Sequence, residues 1–177
     1  GLKHSKVPWH NSRDNVGELA CTLSLLVTTL AKIANEIFQL QKTEIGELSE
    51  SVPKKMASST TMPHKKNPVL CQRVVVLARH VRYLSGVIVE SMIHEHERDP
   101  RSLWAEWLAV PQLCIYTGAA LHYMIDVMSS LELDLDRMLG NLYLQAGPVT
   151  SEWLVFRLSP QIGKMKSLEK IQGLANK

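Results

Sequence analysis

Residues 58–68 of the chain read Ser58-Ser59-Thr60-Thr61-Met62-Pro63-His64-Lys65-Lys66-Asn67-Pro68. This run places four hydroxyls, an imidazole, two ammonium groups and an amide within ten residues, between two long segments with apolar periodicity. Such a density of polar groups on a loop is typical of a binding or catalytic site. The alternative interpretation is a solvated connector whose Ser and Thr side chains form local turns.

The segment before this run predicts one long helix. It should begin only after Pro8, because a proline biases the residue before it towards an extended conformation. Apolar residues then recur at intervals of three and four, at Val16, Leu19, Leu23, Leu26, Leu30, Ile33 and Ile37. A helix running to about Gln41 would span about 40 Å, a length that suits a helical bundle. Residues 43–66 lose this periodicity and predict a loop.

Two further long helices are predicted after the polar run. Asn67-Pro68 indicates the start of the first, with the Asn67 side chain accepting amides of the first turn and Pro68 where no amide hydrogen is needed. This helix is expected to end near His94. Ser102 is a candidate cap for the next helix.

The chain changes character after Leu131, where shorter segments separated by Gly-Pro and Ser-Pro pairs begin. The sequence therefore predicts an all-α fold in two parts. Residues 1–131 would form a partial central helical-bundle domain that carries the polar loop at 57–68. Residues 132–177 would begin a small helical C-terminal domain. Trp104 and Trp107 of the third long helix are expected to be packing residues.

Composition and charge argue against several classes of partner. The formal net charge is +3 and the Lys and Arg residues are scattered, so we expect no nucleic acid. The longest apolar run, Leu23 to Leu30, contains polar residues and is too short for a bilayer, so we expect no membrane. The three cysteines are isolated, which indicates reduced thiols and a cytoplasmic location.

The segment His94-Glu95-His96-Glu97 could suggest a zinc site. The two histidines are two positions apart and would point to opposite sides of a helix, and no cysteine or third histidine is nearby in the sequence. We therefore expect no metal.

The polar run resembles a known sequence signature. Residues 59–68 resemble the loop of the fumarase/aspartase superfamily, the class II fumarate lyases, whose pattern is Gly-Ser-Ser-x-Met-Pro-x-Lys-x-Asn-Pro. The half of the pattern from Met62 to Pro68 is specific.

Two positions depart from this pattern. With the alignment anchored at the Met-Pro pair, the family glycine falls on Ser58 and the second family serine on Thr60. A shifted frame would make Ser58 the first serine. Ser59 is preferred, because the reactive serine of the family lies six residues before its lysine, which is here Lys65.

Other stretches narrow the resemblance. Pro8-Trp9-His10-x-x-Arg13-Asp14, Glu95-His96-Glu97-Arg98 and Trp104-Ala105-Glu106-Trp107-x-x-x-Pro111 are similar to bacterial 3-carboxy-cis,cis-muconate cycloisomerases. Adenylosuccinate lyase is the next resemblance, since it shares His96-Glu97-Arg98-Asp99, although the residues after Asp99 depart from its pattern. The resemblance spans essentially the whole chain. It covers only the later part of a family subunit, without the upstream histidine usually linked to the general acid.

The resemblance implies a long-helix bundle, a homotetramer with active sites shared between subunits, a small polycarboxylate substrate and no cofactor. It implies Ser59 as the catalytic base, with Lys65 and Asn67 stabilising the developing negative charge. The residues it places around the substrate are Thr60, Met62, His64, Arg98 and Arg13. For the two arginines, a structural ion pair is an equal alternative. A truncated, non-catalytic helical association module is the alternative of another class.

Overall fold

The computed structural model describes residues 6, 9–51, 67–144 and 146–175. Its elements in chain order are α1 (Asp14–Leu40), β1 (Leu48–Ser49), α2 (Val69–Glu90), α3 (Pro100–Ser129), β2 (Glu132–Leu133), α4 (Leu135–Leu144), α5 (Ala146–Ile162) and α6 (Lys164–Ala175). The predicted all-α fold is confirmed, since the strands in the described residues are a single antiparallel pair of two residues each.

The three long helices pack as an antiparallel bundle. One buried cluster joins Ala34 and Ile37 near the end of α1 with Leu70 and Val74 at the start of α2 and Val127 at the end of α3. These contacts place the C-termini of α1 and α3 at the same end as the N-terminus of α2. Each fully buried Val, Leu or Ile side chain in this cluster stabilises the fold by about 1.5–3 kcal/mol.

At the opposite end of the bundle, the start of α1 contacts the residues after α2 through a glycine. Gly17, in the first turn of α1, lies so close to Met92, just beyond α2, that a Cβ at Gly17 would overlap the Met92 sulfur. A second cluster, which includes Ala20, Val81 and Leu113, fills the middle of the bundle. The stripe predicted for α1 coincides only in part with the face that packs on α2 and α3, because its members Leu19 and Ile33 are 45% and 40% exposed. The buried residues of the helix are Gly17, Ala20, Val27, Ala34 and Ile37.

The start of α2 differs from its prediction. The Asn67 side chain was expected to accept the free amides of the first turn, and this is wrong. The backbone N–H groups of Leu70 and Cys71 donate instead to the Glu50 carboxylate oxygens, at 2.8 and 2.9 Å. Asn67 contacts the first turn through its backbone carbonyl, which accepts a hydrogen bond from the Val69 N–H at 2.9 Å. A charged carboxylate is a stronger acceptor for these amides than a neutral amide side chain.

The start of α3 also differs from its prediction. The helix begins at Pro100, and its cap is Asp99, which accepts from Arg101 N–H at 3.0 Å. Ser102, the predicted cap, lies inside the first turn and donates its hydroxyl to the Ile93 carbonyl. A proline in the first turn needs no amide partner, so the helix can begin three residues earlier than predicted, with its cap at Asp99 and not at Ser102.

The described residues separate into two compact units. One comprises the described parts of Gly1–Glu44 and Leu48–Leu133, and contains the bundle and the strand pair. The other comprises Ile45–Glu47 and the described parts of Asp134–Lys177, with α4, α5 and α6. Gly163, at a φ of +84°, forms the turn between α5 and α6.

The long helices expose much apolar surface in the single chain. Leu25 of α1 and Ile115 of α3 are 72% and 65% exposed, and the predicted packing residues Trp104 and Trp107 are 61% and 62% exposed. By length and composition alone, α1 and α3 could each cross a membrane, a property shared by core helices of soluble bundles. The sequence argument considered only the apolar run from Leu23 to Leu30 and not the whole length of each helix. The absence of a membrane partner stays a prediction.

Candidate active site

Asn67 is the predicted catalytic residue that the structure describes. It lies directly before α2 and lines a cleft of about 310 Å³ together with residues 38 and 41–44 at the end of α1 and residues 68 and 72 at the start of α2. The other predicted residues of the loop lie outside the described residues: Ser59, Thr60, Met62, His64 and Lys65. Their predicted roles stay predictions.

Glu50 is the buried acidic residue at this end of the bundle. Its side chain is 1% exposed, and its two oxygens accept from the first-turn amides of α2. The Glu50 backbone N–H donates to the Gln41 side chain at 2.8 Å. Burial raises the pKa of the neighbouring Cys71 thiol, and the Glu50 carboxylate raises that pKa further, so the thiol stays protonated.

Sequence reasoning missed Glu50. It lies within the predicted loop, and the amides it binds are 20 and 21 residues further along the chain. No local cap pattern spans that distance, because capping side chains normally bond amides two or three residues away. The available signal was an acidic side chain before a helix that has no acidic residue in its first turn.

Arg13 and Glu106 form an ion pair at the opposite end of the bundle, with Glu106 buried and Arg13 partly exposed. Arg13 Nε lies 2.9 and 3.0 Å from the two Glu106 oxygens, and its Nη2 makes a short contact with Oε2. The Glu106 side chain is 2% exposed and that of Arg13 24%. The hydrogen bond that Arg13 donates to Glu106 is the main cause that raises the pKa of Arg13. Of the two roles predicted for Arg13, the structure shows the ion pair, and substrate contact stays a prediction.

An apolar cavity adjoins this ion pair. It has a volume of about 410 Å³ and is lined by Val16, Leu19, Trp107, Val110 and Pro111 together with the two paired side chains. The pair is thus set in apolar surroundings, where an uncompensated charge would be costly.

The polar segment between α2 and α3 also lies at this end. Asp99 is 5% exposed, and Arg101 binds both of its carboxylate oxygens, at 3.0 and 2.8 Å. These hydrogen bonds hold the pKa of Asp99 at about 2, below its usual value. Arg98, the other predicted substrate-binding arginine, is exposed beside this pair. In the part of the chain that the structure describes, no group of three or more His, Cys, Asp or Glu side chains is arranged to hold a metal ion.

The predicted site residues therefore lie at two ends of one bundle. Asn67 precedes α2, whereas Arg98 follows its end and Arg13 pairs with the start of α3. The 22 residues of α2 separate these groups. At the rise of an α-helix, that length corresponds to about 33 Å, much longer than a small polycarboxylate. One chain cannot bring Asn67 and the two arginines to the same small molecule.

Comparisons with known proteins agree with the resemblance. A model of a lyase family matches residues 2–82. The chain is 37% identical to N-acetyl-S-(2-succino)cysteine lyase of Dickeya dadantii, over 93% of this chain and 36% of that protein. It is 33% identical to 3-carboxy-cis,cis-muconate cycloisomerase of Acinetobacter baylyi, over 94% of this chain and 37% of that protein.

The fold agrees with the same family. The crystal structure of 3-carboxy-cis,cis-muconate lactonizing enzyme from Pseudomonas putida superposes with a TM-score of 0.84 at 31% identity, over 97% of this chain and 37% of that one. The chain thus spans little more than a third of the length of these relatives. On the signature run, the bundle and these matches, the chain belongs to the fumarase/aspartase superfamily of lyases and cycloisomerases.

Proposed function

We propose that the protein acts as a cycloisomerase of the 3-carboxy-cis,cis-muconate type, which adds a carboxylate oxygen across a double bond next to another carboxylate. The observation that carries this proposal is the run from Ser59 to Pro68, which matches the superfamily loop and leads directly into α2. The similarity to several 3-carboxy-cis,cis-muconate cycloisomerases, at 31–36% identity, supports the choice of substrate.

The proposed reaction forms and protonates a carbanion. A carboxylate oxygen of the substrate forms a C–O bond at the β carbon, and the electron pair of the double bond moves into the neighbouring carboxylate to give an aci-carboxylate. The Ser59 hydroxyl then donates its proton to the α carbon, and in the reverse direction the Ser59 oxygen takes that proton back. Lys65 and Asn67 stabilise the negative charge, and the positive N-terminal end of α2 adds to their field.

A serine oxygen is a weak base unless neighbouring cations and donors stabilise its charged form. Lys65 and the start of α2 belong to the same short stretch of chain as Ser59, which supports their joint action. Thr60, Met62 and His64 are proposed to orient the substrate.

The site is proposed to be shared between copies of the chain in a homotetramer. Asn67 lies at one end of α2, and Arg13 and Arg98 lie at the other end, about 33 Å away. Asn67 of one copy and the two arginines of that copy would therefore belong to different active sites. The exposed apolar residues of α1 and α3 support burial between copies, because large exposed apolar patches mark interaction surfaces. A cytoplasmic location, with neither nucleic acid nor membrane as partner, is part of the proposal.

A second candidate substrate is N-acetyl-S-(2-succino)cysteine. Relatives that carry this lyase name are 37% identical to the chain, slightly more than the 31–36% of the cycloisomerases. The chemistry is the same carbanion chemistry, with a C–S bond breaking at the β carbon after loss of the α proton. Adenylosuccinate, which breaks a C–N bond in the same way, stays the alternative indicated by His96-Glu97-Arg98-Asp99.

The test is a comparison of kcat/KM for the complete protein on the three substrates. We expect 3-carboxy-cis,cis-muconate to give the highest value, measured by the loss of its diene absorbance. Higher values for N-acetyl-S-(2-succino)cysteine or adenylosuccinate would overturn the substrate choice. Turnover of none of the three would favour the helical association module.

A further inference from the structure

We propose that Glu50 is a positioning residue for the catalytic loop, because its carboxylate joins the chain before the loop to the helix that follows it. The inference rests on the proposed function, since it concerns the loop that carries Ser59 and Lys65.

The contacts of Glu50 reach both sides of the loop. Its backbone belongs to the segment just before residues 52–66 and is held by Gln41, at the end of α1. Its side-chain oxygens bind the amides of Leu70 and Cys71, just after Asn67. The Glu50 side chain therefore links the segment before residues 52–66 directly to the start of α2.

The neighbouring contacts strengthen this junction. Leu48 and Ser49, just before Glu50, pair with Leu133 and Glu132 in the antiparallel strand pair. Glu50 itself is 1% exposed, so water cannot replace its oxygens without opening the structure. Each of the two Glu50 oxygens accepts from one of the two adjacent amides, so the carboxylate satisfies both.

Positioning predicts an effect on turnover that a simple helix cap would not have. A displacement of about 1 Å of catalytic groups can lower turnover by about 100-fold without loss of the fold. The proposed substrate contacts Arg13 and Arg98 lie at the other end of α2 and would reach each shared site from another copy of the chain, so the Glu50 variants leave them in place. Loss of the Glu50 contacts should therefore lower kcat much more than it raises KM.

The experiment compares Glu50→Gln and Glu50→Ala with Val81→Ala in the complete protein. Val81 is a fully buried residue in the middle of α2, so its truncation destabilises the same helix without touching the junction. We expect kcat to fall by about 10-fold for Glu50→Gln, which keeps one acceptor, and by about 100-fold for Glu50→Ala. KM should change less than about 3-fold, and Val81→Ala should keep its turnover per folded subunit.

Equal turnover of the Glu50 variants and Val81→Ala, in an active wild-type protein, would overturn the positioning role and leave the proposed function intact. A wild-type protein that turns over no substrate contradicts the proposed function instead. In that case hydrogen exchange of the Leu70 and Cys71 amides still tests the junction. These amides should exchange at least 10-fold faster in Glu50→Gln than in Val81→Ala, a tenfold change corresponding to about 1.4 kcal/mol. Unchanged protection would overturn the inference.

Discussion

Replacing Ser59 with alanine is expected to lower kcat by about 10³-fold, the central size of a general acid–base contribution. The variant removes the oxygen that exchanges the proton with the α carbon but leaves Lys65 and Asn67 in place. Substrate binding should therefore stay within about 3-fold of wild type. Steady-state turnover gives the first quantity, and equilibrium titration of the variant with substrate gives the second.

Ser58→Ala is the matched control for this prediction. Ser58 occupies the position of the family glycine and differs from Ser59 by one place in the alignment frame. Its alanine variant should keep near-normal turnover. If Ser58→Ala loses activity and Ser59→Ala keeps it, the base is Ser58 and the shifted frame is correct.

Replacing Arg13 with methionine is expected to lower the free energy of unfolding by about 3–5 kcal/mol. Methionine fills much of the space of the arginine stem but leaves the Glu106 carboxylate without its partner. Glu106 is 1% exposed, so its charge would be neither paired nor well hydrated. The measurement is urea unfolding of the variant and the wild-type protein at neutral pH.

Arg13→Met combined with Glu106→Leu is the control for this second prediction. The double variant removes the unpaired charge together with its partner, so most of the lost stability should return. A loss below about 1 kcal/mol for Arg13→Met alone would contradict a buried pair, because that is the range of exposed ion pairs. The free energy of unfolding is measured here and not turnover, because Arg13 is also a proposed substrate contact and its loss would lower turnover in either role.

The helices could be predicted from the sequence because their signals are local. The apolar stripe from Val16 to Ile37 predicted a helix ending near Gln41, and α1 ends at Leu40. Three- and four-residue spacing predicts the existence and length of a helix, but it located the buried face only in part, since Leu19 and Ile33 are exposed. The loop residues were identified by a resemblance to a family signature, which is also a local signal because it lies within ten consecutive positions.

The long-range contacts could not be predicted in this way. Glu50 and Leu70 are 20 residues apart, and Arg13 and Glu106 are 93 residues apart. Propensity indicated Asn67 and Ser102 as caps, but a stronger acceptor supplied by the tertiary structure, Glu50, replaced the first of them. Which group caps a helix depends on which side chains the bundle brings close to it, and local sequence patterns do not contain that information.

The proposed carbanion chemistry is tested most directly by binding of a nitro analogue of the substrate. Its ionised nitronate form carries the charge distribution of the aci-carboxylate, so it should bind to the intermediate-stabilising groups. We expect it to bind the wild-type protein at least about 100-fold more tightly than the matched carboxylate, and this advantage should disappear in Lys65→Met. Equal affinity of the two compounds for the wild-type protein, or an advantage that persists in Lys65→Met, would contradict the role proposed for the loop.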